Sequence, residues 1–217
     1  MLTALAVGAG LVGLLVGHVV NRAAGRFPWE AGSGSGLAVR LPVVEVGTAL
    51  LFVLTVLRFE LSWELPAFLF LAAASVLLGL IDLQHRLLPN RIVLPAIGIA
   101  AALLTLAAAA EQEWPVLLRA ALGSVVLFTV FLLLALIAPR GLGMGDVKLA
   151  ALLGLYLGWI GWGAVVIGAA GGFVVQAVGA LVLLATRRIG LRGELPFGPA
   201  MLLGAVLAIG WSDRLIH

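Results

Sequence analysis

The sequence predicts an all-α polytopic membrane protein with about eight transmembrane helices. Three observations support this: 63% of the 217 residues are hydrophobic, only 11% are charged, and apolar stretches recur along the whole chain. A soluble domain is nearer half apolar and a quarter charged. One bilayer crossing takes about 20 residues. We therefore expect residues 1–217 to form a single integral-membrane domain.

Polar residues divide the chain into the expected spans. One charge-free run, Leu149–Thr186, would be roughly 57 Å long as a helix. That length is nearly twice the hydrocarbon core, so the run must turn once. The turn is expected at Gly158–Gly163, where two tryptophans lie among glycines and suit a membrane interface. The other expected spans are Leu2–Val20, Val43–Leu57, Pro66–Ile81, Ile92–Ala110, Val116–Ala138 and Phe197–Trp211.

The distribution of basic residues predicts the orientation. In an eight-span topology, ten of the 13 Lys and Arg residues fall in one set of loops, and only Arg58, Arg119 and Arg214 fall on the other side. Cytoplasmic loops are enriched in Lys and Arg. Both termini are therefore expected on the non-cytoplasmic side. The segment Glu30–Gly36, which is rich in Gly and Ser, is expected to be a flexible cytoplasmic linker.

The composition excludes several kinds of chemistry. The chain has no cysteine and three histidines, so disulfides, thiolate zinc sites and a cysteine nucleophile are excluded, and no metal site is expected. Its net charge of +3 comes from few charges and gives no reason to expect a nucleic-acid partner. The expected surroundings are the lipid bilayer.

Two acidic residues, Asp82 and Asp146, are expected at the cytoplasmic edge of the membrane, at the end of the third span and the start of the sixth. Carboxylates there are costly unless they are paired or functional. One interpretation is that each caps a helix end or balances a nearby cation. The other is that they meet, share one proton, and carry out general acid–base hydrolysis without a metal.

Glycines precede the second of these aspartates. Gly141, Gly143 and Gly145 have no side chains, so an extended substrate backbone could approach the carboxylate of Asp146 closely. The alternative is an ordinary glycine-rich turn at the start of a helix.

These residues resemble a known family, the type IV prepilin peptidases. Gly143-Met144-Gly145-Asp146 is similar to the Gly-x-Gly-Asp signature of intramembrane aspartyl proteases, and Asp82 with Leu88-Pro89-Asn90 is similar to the family's first aspartate motif. The resemblance extends over nearly the whole chain. Its further elements are Gly17, Asn21, Arg26 and Pro28, the segment Arg40–Glu45, and Leu195-Pro196-Phe197-Gly198-Pro199.

The resemblance implies a prokaryotic inner- or plasma-membrane endopeptidase that cleaves the leader of type IV pilin-like precursors at the cytoplasmic face. Asp82 and Asp146 would be catalytic, and residues 66–211 would form a catalytic six-helix part. Proteolysis would need no cofactor. The alternatives are a small cation-coupled transporter or channel and an inactive scaffold. Residues expected to bind substrate or shape the site are Gly143, Gly145, Lys148, Pro89, Asn90 and Glu45.

One departure from the family concerns its first cytoplasmic loop. Many members carry two Cys-x-x-Cys pairs there, in a domain linked to N-methylation of the product. Here the equivalent loop, about residues 23–41, is shortened and has no cysteine. S-adenosylmethionine would be a cofactor only if methyltransferase activity is retained, and the presence of Arg40 and Glu45 keeps this open.

Overall fold

The computed structural model describes residues 1–28, 36–40, 42–138, 142–187 and 195–211. Within these ranges the chain is built of α-helices and contains no strand, which confirms the predicted fold class. Almost all of the predicted linker Glu30–Gly36, and Gly141, lie outside the described residues. The helices are α1 (Leu2–Gly25), α2 (Val43–Phe59), α3 (Leu65–His85), α4 (Asn90–Glu111), α5 (Trp114–Ile137), α6 (Met144–Ile160), α7 (Trp162–Ala185) and α8 (Gly198–Trp211).

Five helices, namely α1, α3, α4, α5 and α7, are long and apolar enough to cross a membrane, with mean hydropathies of 2.0 to 2.7. The other three are shorter: α2 and α6 have 17 residues each and α8 has 14. Seventeen residues are near the lower limit of a crossing. The protein is therefore a polytopic membrane protein whose helices differ in length.

The expected turn in the long apolar run lies at Gly161, between the end of α6 and the start of α7. Gly161 has a φ of 158° and a ψ of 166°, a region essentially restricted to glycine. No atom lies within 4 Å of the position that its Cβ would occupy. The turn therefore depends on the backbone freedom of glycine and not on a shortage of space.

Several helices extend beyond their apolar cores. The apolar stretch of α1 ends at Val20, but the helix continues to Gly25. The apolar stretch of α3 ends at Ile81, but the helix continues to His85. Arg86 ends α3 in the left-handed conformation, and its N–H donates to the carbonyl of Asp82 at 2.8 Å. This extension places Asp82 in the last turn of α3.

Close packing at glycines joins the helices into three pairs, α1–α2, α5–α6 and α7–α8. A Cβ on Gly13 of α1 would lie 2.6 Å from Ala49 Cα, and one on Gly154 of α6 would lie 2.5 Å from Gly123 O. Gly204 of α8 meets the α7 backbone in the same way. Small residues at helix interfaces allow the backbone contact on which association in a membrane depends.

The substitution Gly13→Ala is expected to destabilise the α1–α2 pair by roughly 1–3 kcal/mol, because the added methyl group overlaps backbone atoms of α2. The measurement is thermal unfolding in detergent, followed by tryptophan fluorescence. Gly8→Ala, on the same helix but with no atom within 4 Å of its Cβ position, is the matched control and should leave the Tm unchanged. Equal Tm values for both variants would contradict this account of the packing.

The helices alternate in direction, so their ends meet at two ends of the bundle. We call the end that contains Asp82 and Asp146 the aspartate end, and the opposite end the far end. At the far end, Arg58 Nε of α2 donates to Ile209 O of α8 at 3.5 Å. Most described cations lie at the aspartate end, as the charge pattern predicts. They are Arg22, Arg26, Arg40, Arg86, Arg91, Lys148 and Arg187, against Arg58 and Arg119 at the far end.

α6 runs through the centre of the bundle, with 12 of its 17 residues buried. At the far end, Tyr156 Oη donates to Ala67 O at 3.0 Å, and Trp159 Nε1 donates to the carboxylate of Glu64. Arg119 of α5 donates to Trp159 O at 2.6 Å. These far-end bonds fix α6 to both α3 and α5 at the end of α6 that is remote from its N-terminus.

Candidate active site

Asp82 is held at the carboxyl end of α3 and is only 4% exposed. Its Oδ2 accepts a hydrogen bond from the backbone N–H of Gly198 at 3.0 Å. Gly198 begins α8, and the first N–H groups of a helix have no partner within that helix. The positive end of α8 therefore faces a carboxylate that the negative end of α3 disfavours.

Asp146 lies in the first turn of α6 and is half-buried. Its Oδ2 accepts a hydrogen bond from the backbone N–H of Gly143 at 2.9 Å, and its own N–H donates to Gly143 O at 3.1 Å. A carboxylate at a helix N-terminus is favoured by the helix dipole. The local sequence therefore folds into a cap that holds the carboxylate of Asp146 at the start of α6.

Asp82 and Asp146 lie at the same end of the bundle, near enough for their carboxylates to interact electrostatically as like charges. Each uses Oδ2 for its backbone hydrogen bond. In the part of the chain that the structure describes, no recorded hydrogen bond engages Oδ1 of either residue. One oxygen of each carboxylate is thus left for a water molecule or a substrate, which is the arrangement that a pair of acid–base groups requires.

The predicted site-shaping residues Pro89, Asn90, Gly145 and Lys148 also meet near the aspartates. Pro89 is the N-cap of α4 and Asn90 is its first residue. Lys148 Nζ donates to Asn90 Oδ1 at 2.7 Å. Gly145 packs directly on the connection between α3 and α4, where a Cβ on Gly145 would lie 2.8 Å from Leu88 Cβ.

The two glycines before Asp146 have different surroundings. Leu88 occupies the space beside Gly145, so the missing side chain there serves the packing of α6 on the α3–α4 connection. Gly143 is exposed, and its nearest neighbour at the Cβ position is Asp146 Oδ2 at 3.5 Å. The approach of a substrate backbone therefore stays a prediction for Gly143, on the open side of the site.

Glu45 lies in the α1–α2 pair, away from the contacts of the aspartates. Its Oε1 accepts a hydrogen bond from Asn21 Nδ2 at 3.1 Å and lies 3.4 Å from His18 Nδ1. Its Oε2 is buried and has no hydrogen-bond partner among the described residues. The recorded contacts thus join Glu45 to α1 and not to either aspartate.

The end of the loop between α1 and α2 does reach the helix that carries Asp82. The fully buried Asn21 makes two hydrogen bonds with the backbone of Val39. Its Nδ2 donates to the carbonyl of Val39 and its Oδ1 accepts from the N–H of Val39, each at 2.9 Å. Gln84, in the last turn of α3, donates to Ala38 O at 3.2 Å. Ala38 and Val39 are therefore held between α1 and the end of α3.

The site residue that the sequence did not reveal is Gly198. It stands in the segment Leu195–Pro199, which carries part of the family resemblance, but nothing in the sequence indicated that its N–H would face Asp82. A Cβ on Gly198 would lie 2.6 Å from Asp82 Oδ2, so the requirement for glycine is steric. Among the described residues, no group of three or more His, Asp or Glu side chains could hold a metal ion.

Comparison with known proteins identifies the family. The model described as the type IV leader peptidase family matches residues 69–209, a range that includes Asp82, Asp146 and Gly198. The chain belongs to the type IV leader peptidase family. The resemblance seen in the sequence is confirmed, and family membership supports a peptidase and gives no support to the small transporter.

Curated relatives named prepilin leader peptidase/N-methyltransferase agree with this family. The Pseudomonas aeruginosa protein is 32% identical over 184 residues, covering 83% of this chain and 61% of the relative. The Pseudomonas putida protein is 34% identical, covering 82% of this chain and 61% of the relative. The Bacillus subtilis protein is 33% identical, covering 84% and 71%. The chain thus spans about three fifths of the Pseudomonas relatives. No solved structure matches it.

Proposed function

We propose that the chain is a membrane aspartic endopeptidase that removes the leader from type IV pilin-like precursors. The observation that carries this proposal is that Asp82 and Asp146, each held by one backbone N–H, lie at the same end of the bundle within electrostatic reach of each other. The family of the chain and the names of its relatives support the choice of substrate.

The proposed mechanism uses the two carboxylates in complementary protonation states. Two carboxylates that lie close together cannot both ionise easily, so they share one proton. The ionised group takes a proton from a water molecule, and the resulting oxygen nucleophile attacks the peptide carbonyl, which the protonated group polarises. The departing amine then receives a proton from the pair as the C–N bond breaks. No cofactor takes part.

The proposed orientation places the aspartate end at the cytoplasmic face. The described cations are concentrated at this end, and cytoplasmic loops carry the excess of Lys and Arg. The apolar helix of the precursor would then stay in the bilayer while its leader presents the scissile bond to Asp82 and Asp146 from the cytoplasmic side.

We further propose that methyl transfer by this chain is weak or absent. The relatives' name includes N-methyltransferase, but the loop that follows α1 is short and the chain has no cysteine. So short a segment cannot bury a core of its own. Arg40 and Glu45 are retained, and the recorded contacts of Glu45 are to α1.

Co-expression with a type IV prepilin-like precursor tests both proposals, with the intact mass of the precursor as the readout. We expect the mass to fall by that of the leader, with no further gain of one methyl group when S-adenosylmethionine is present. An uncleaved precursor in the membrane would overturn the peptidase proposal. A product that is heavier by one methyl group, only when this chain is expressed, would overturn the proposal on methylation.

A further inference from the structure

The two aspartates are not tied to each other by the hydrogen bonds that hold them. Asp146 accepts its hydrogen bond from the N–H of Gly143, which lies just before it in the chain. Asp82 accepts its hydrogen bond from the N–H of Gly198 in α8. Neither bond joins the start of α6 to the end of α3. Since a shift of about 1 Å between reacting groups can cost about 10²-fold in rate, something else must set the separation of the two carboxylates.

The side-chain hydrogen bond from Lys148 to Asn90 spans this gap. Lys148 is one turn or less from Asp146 on α6, and Asn90 begins α4 directly after the connection from α3. The Nζ–Oδ1 distance is 2.7 Å. Hydrogen bonds with a charged donor are shorter and stronger than neutral ones. In the ranges that the structure describes, it is the side-chain bond that links the N-terminal part of α6 to the start of α4, directly after the connection from α3.

The neighbouring contact between Gly145 and Leu88 brings the same two segments together but does not fix them. It is an apolar contact of a glycine with a buried leucine, and apolar attraction has no preferred direction. A hydrogen bond between two side chains, in contrast, has a preferred direction. The two contacts together therefore define both the closeness and the alignment of the segments.

We propose that Lys148 is a positioning residue that acts through Asn90 to set the separation of Asp82 and Asp146. This inference rests on the proposed peptidase function. It differs from two other roles of a lysine at this place, a cytoplasmic anchor cation and a direct contact with the substrate. Lys148 is the single lysine of the sequence. It is half-buried, and it reaches the exposed Asn90 across the surface of the bundle.

An exchange of the two side chains tests the proposal. The variants are Lys148→Met, Asn90→Leu, the conservative Asn90→Asp, and the double variant Lys148→Asn with Asn90→Lys, which keeps a lysine–asparagine pair with the two positions exchanged. Arg187→Gln removes one exposed cation from the same end of the bundle and serves as the control. The full chain is assayed in vesicles, and kcat and KM for a precursor are measured separately.

We expect the two single disruptions to lower kcat by about 10- to 100-fold while KM changes little, because the positions of the carboxylates change and the binding of substrate does not. Asn90→Asp and the exchanged pair should recover most of kcat. A raised KM with unchanged kcat in Lys148→Met, or an exchanged pair as poor as the single variants, would overturn the proposal.

A second measurement does not depend on catalysis. Because the chain has no cysteine, nitroxide labels can be placed at Leu87→Cys and Met144→Cys, two exposed positions on the two segments. The distribution of distances between the labels should widen in Lys148→Met and narrow again in the exchanged pair. An unchanged distribution in Lys148→Met would overturn the positioning role. If the parent chain cleaves no precursor, the peptidase proposal fails while this measurement still decides the role of Lys148.

Discussion

Asp82→Asn and Asp146→Asn are each expected to lower the rate of leader cleavage by about 10³-fold, within the range that general acid–base groups contribute. An amide has nearly the shape of a carboxylate but can neither accept the proton of the water nor supply one to the departing amine. In the proposed mechanism the pair shares one proton, so both carboxylates are needed. Cleavage is measured as loss of the leader from a co-expressed precursor, by intact mass.

The matched control for these variants is Glu111→Gln, at the end of α4 on the far side of the bundle. It makes the same chemical change at an exposed carboxylate and should leave cleavage unchanged. All three variants should reach the membrane in equal amounts. Cleavage at the parent rate by either aspartate variant would show that the pair is not catalytic.

Gly198→Ala is expected to produce the second-largest loss, about 10²-fold in cleavage rate, because it displaces a reacting group. The new methyl group would lie 2.6 Å from Asp82 Oδ2, so the carboxylate must move away and lose its hydrogen bond from the Gly198 N–H. Both aspartates remain in this variant. The loss of cleavage rate in this variant therefore measures the importance of the position of the Asp82 carboxylate, since the carboxylate itself is still there.

Gly210→Ala makes the same substitution in the last turn of α8, where no atom lies within 4 Å of the Cβ position. It should cleave the precursor as the parent does. If Gly198→Ala also cleaves at the parent rate, the contact of α8 with Asp82 has no part in catalysis.

The helices could be predicted from the sequence because hydropathy and chain length dominate the free energy of a chain in a membrane. The turn at Gly161 followed from an apolar run that was too long for one crossing. Helix ends were less predictable: α3 continues to His85, because polar residues at a membrane edge can extend a helix as long as their backbone hydrogen bonds are made.

The aspartates could be singled out because carboxylates next to apolar spans are rare. The residues that contact the aspartates could not be identified from the sequence. Gly198 is 116 residues away from Asp82 in the chain, and its contact depends on how α8 sits against α3, which local sequence does not determine. The hydrogen bond between Lys148 and Asn90 could not be predicted either, because it depends on how α6 packs against α4. The sequence did indicate both residues as lying near the site.

The far-end bonds of Tyr156, Trp159 and Arg119 hold one end of α6 in place near one membrane surface. A change in the tilt of α6 would therefore displace mainly its other end, which carries Asp146. About 20 Å of helix separates Trp159 from Asp146. A change in the tilt of α6 of about 3° would therefore move the carboxylate of Asp146 by roughly 1 Å. Helices change their tilt when the bilayer becomes thicker or thinner. For the proposed peptidase we therefore expect the rate of cleavage to depend on the acyl-chain length of the surrounding lipids, although no lipid needs to touch the aspartates.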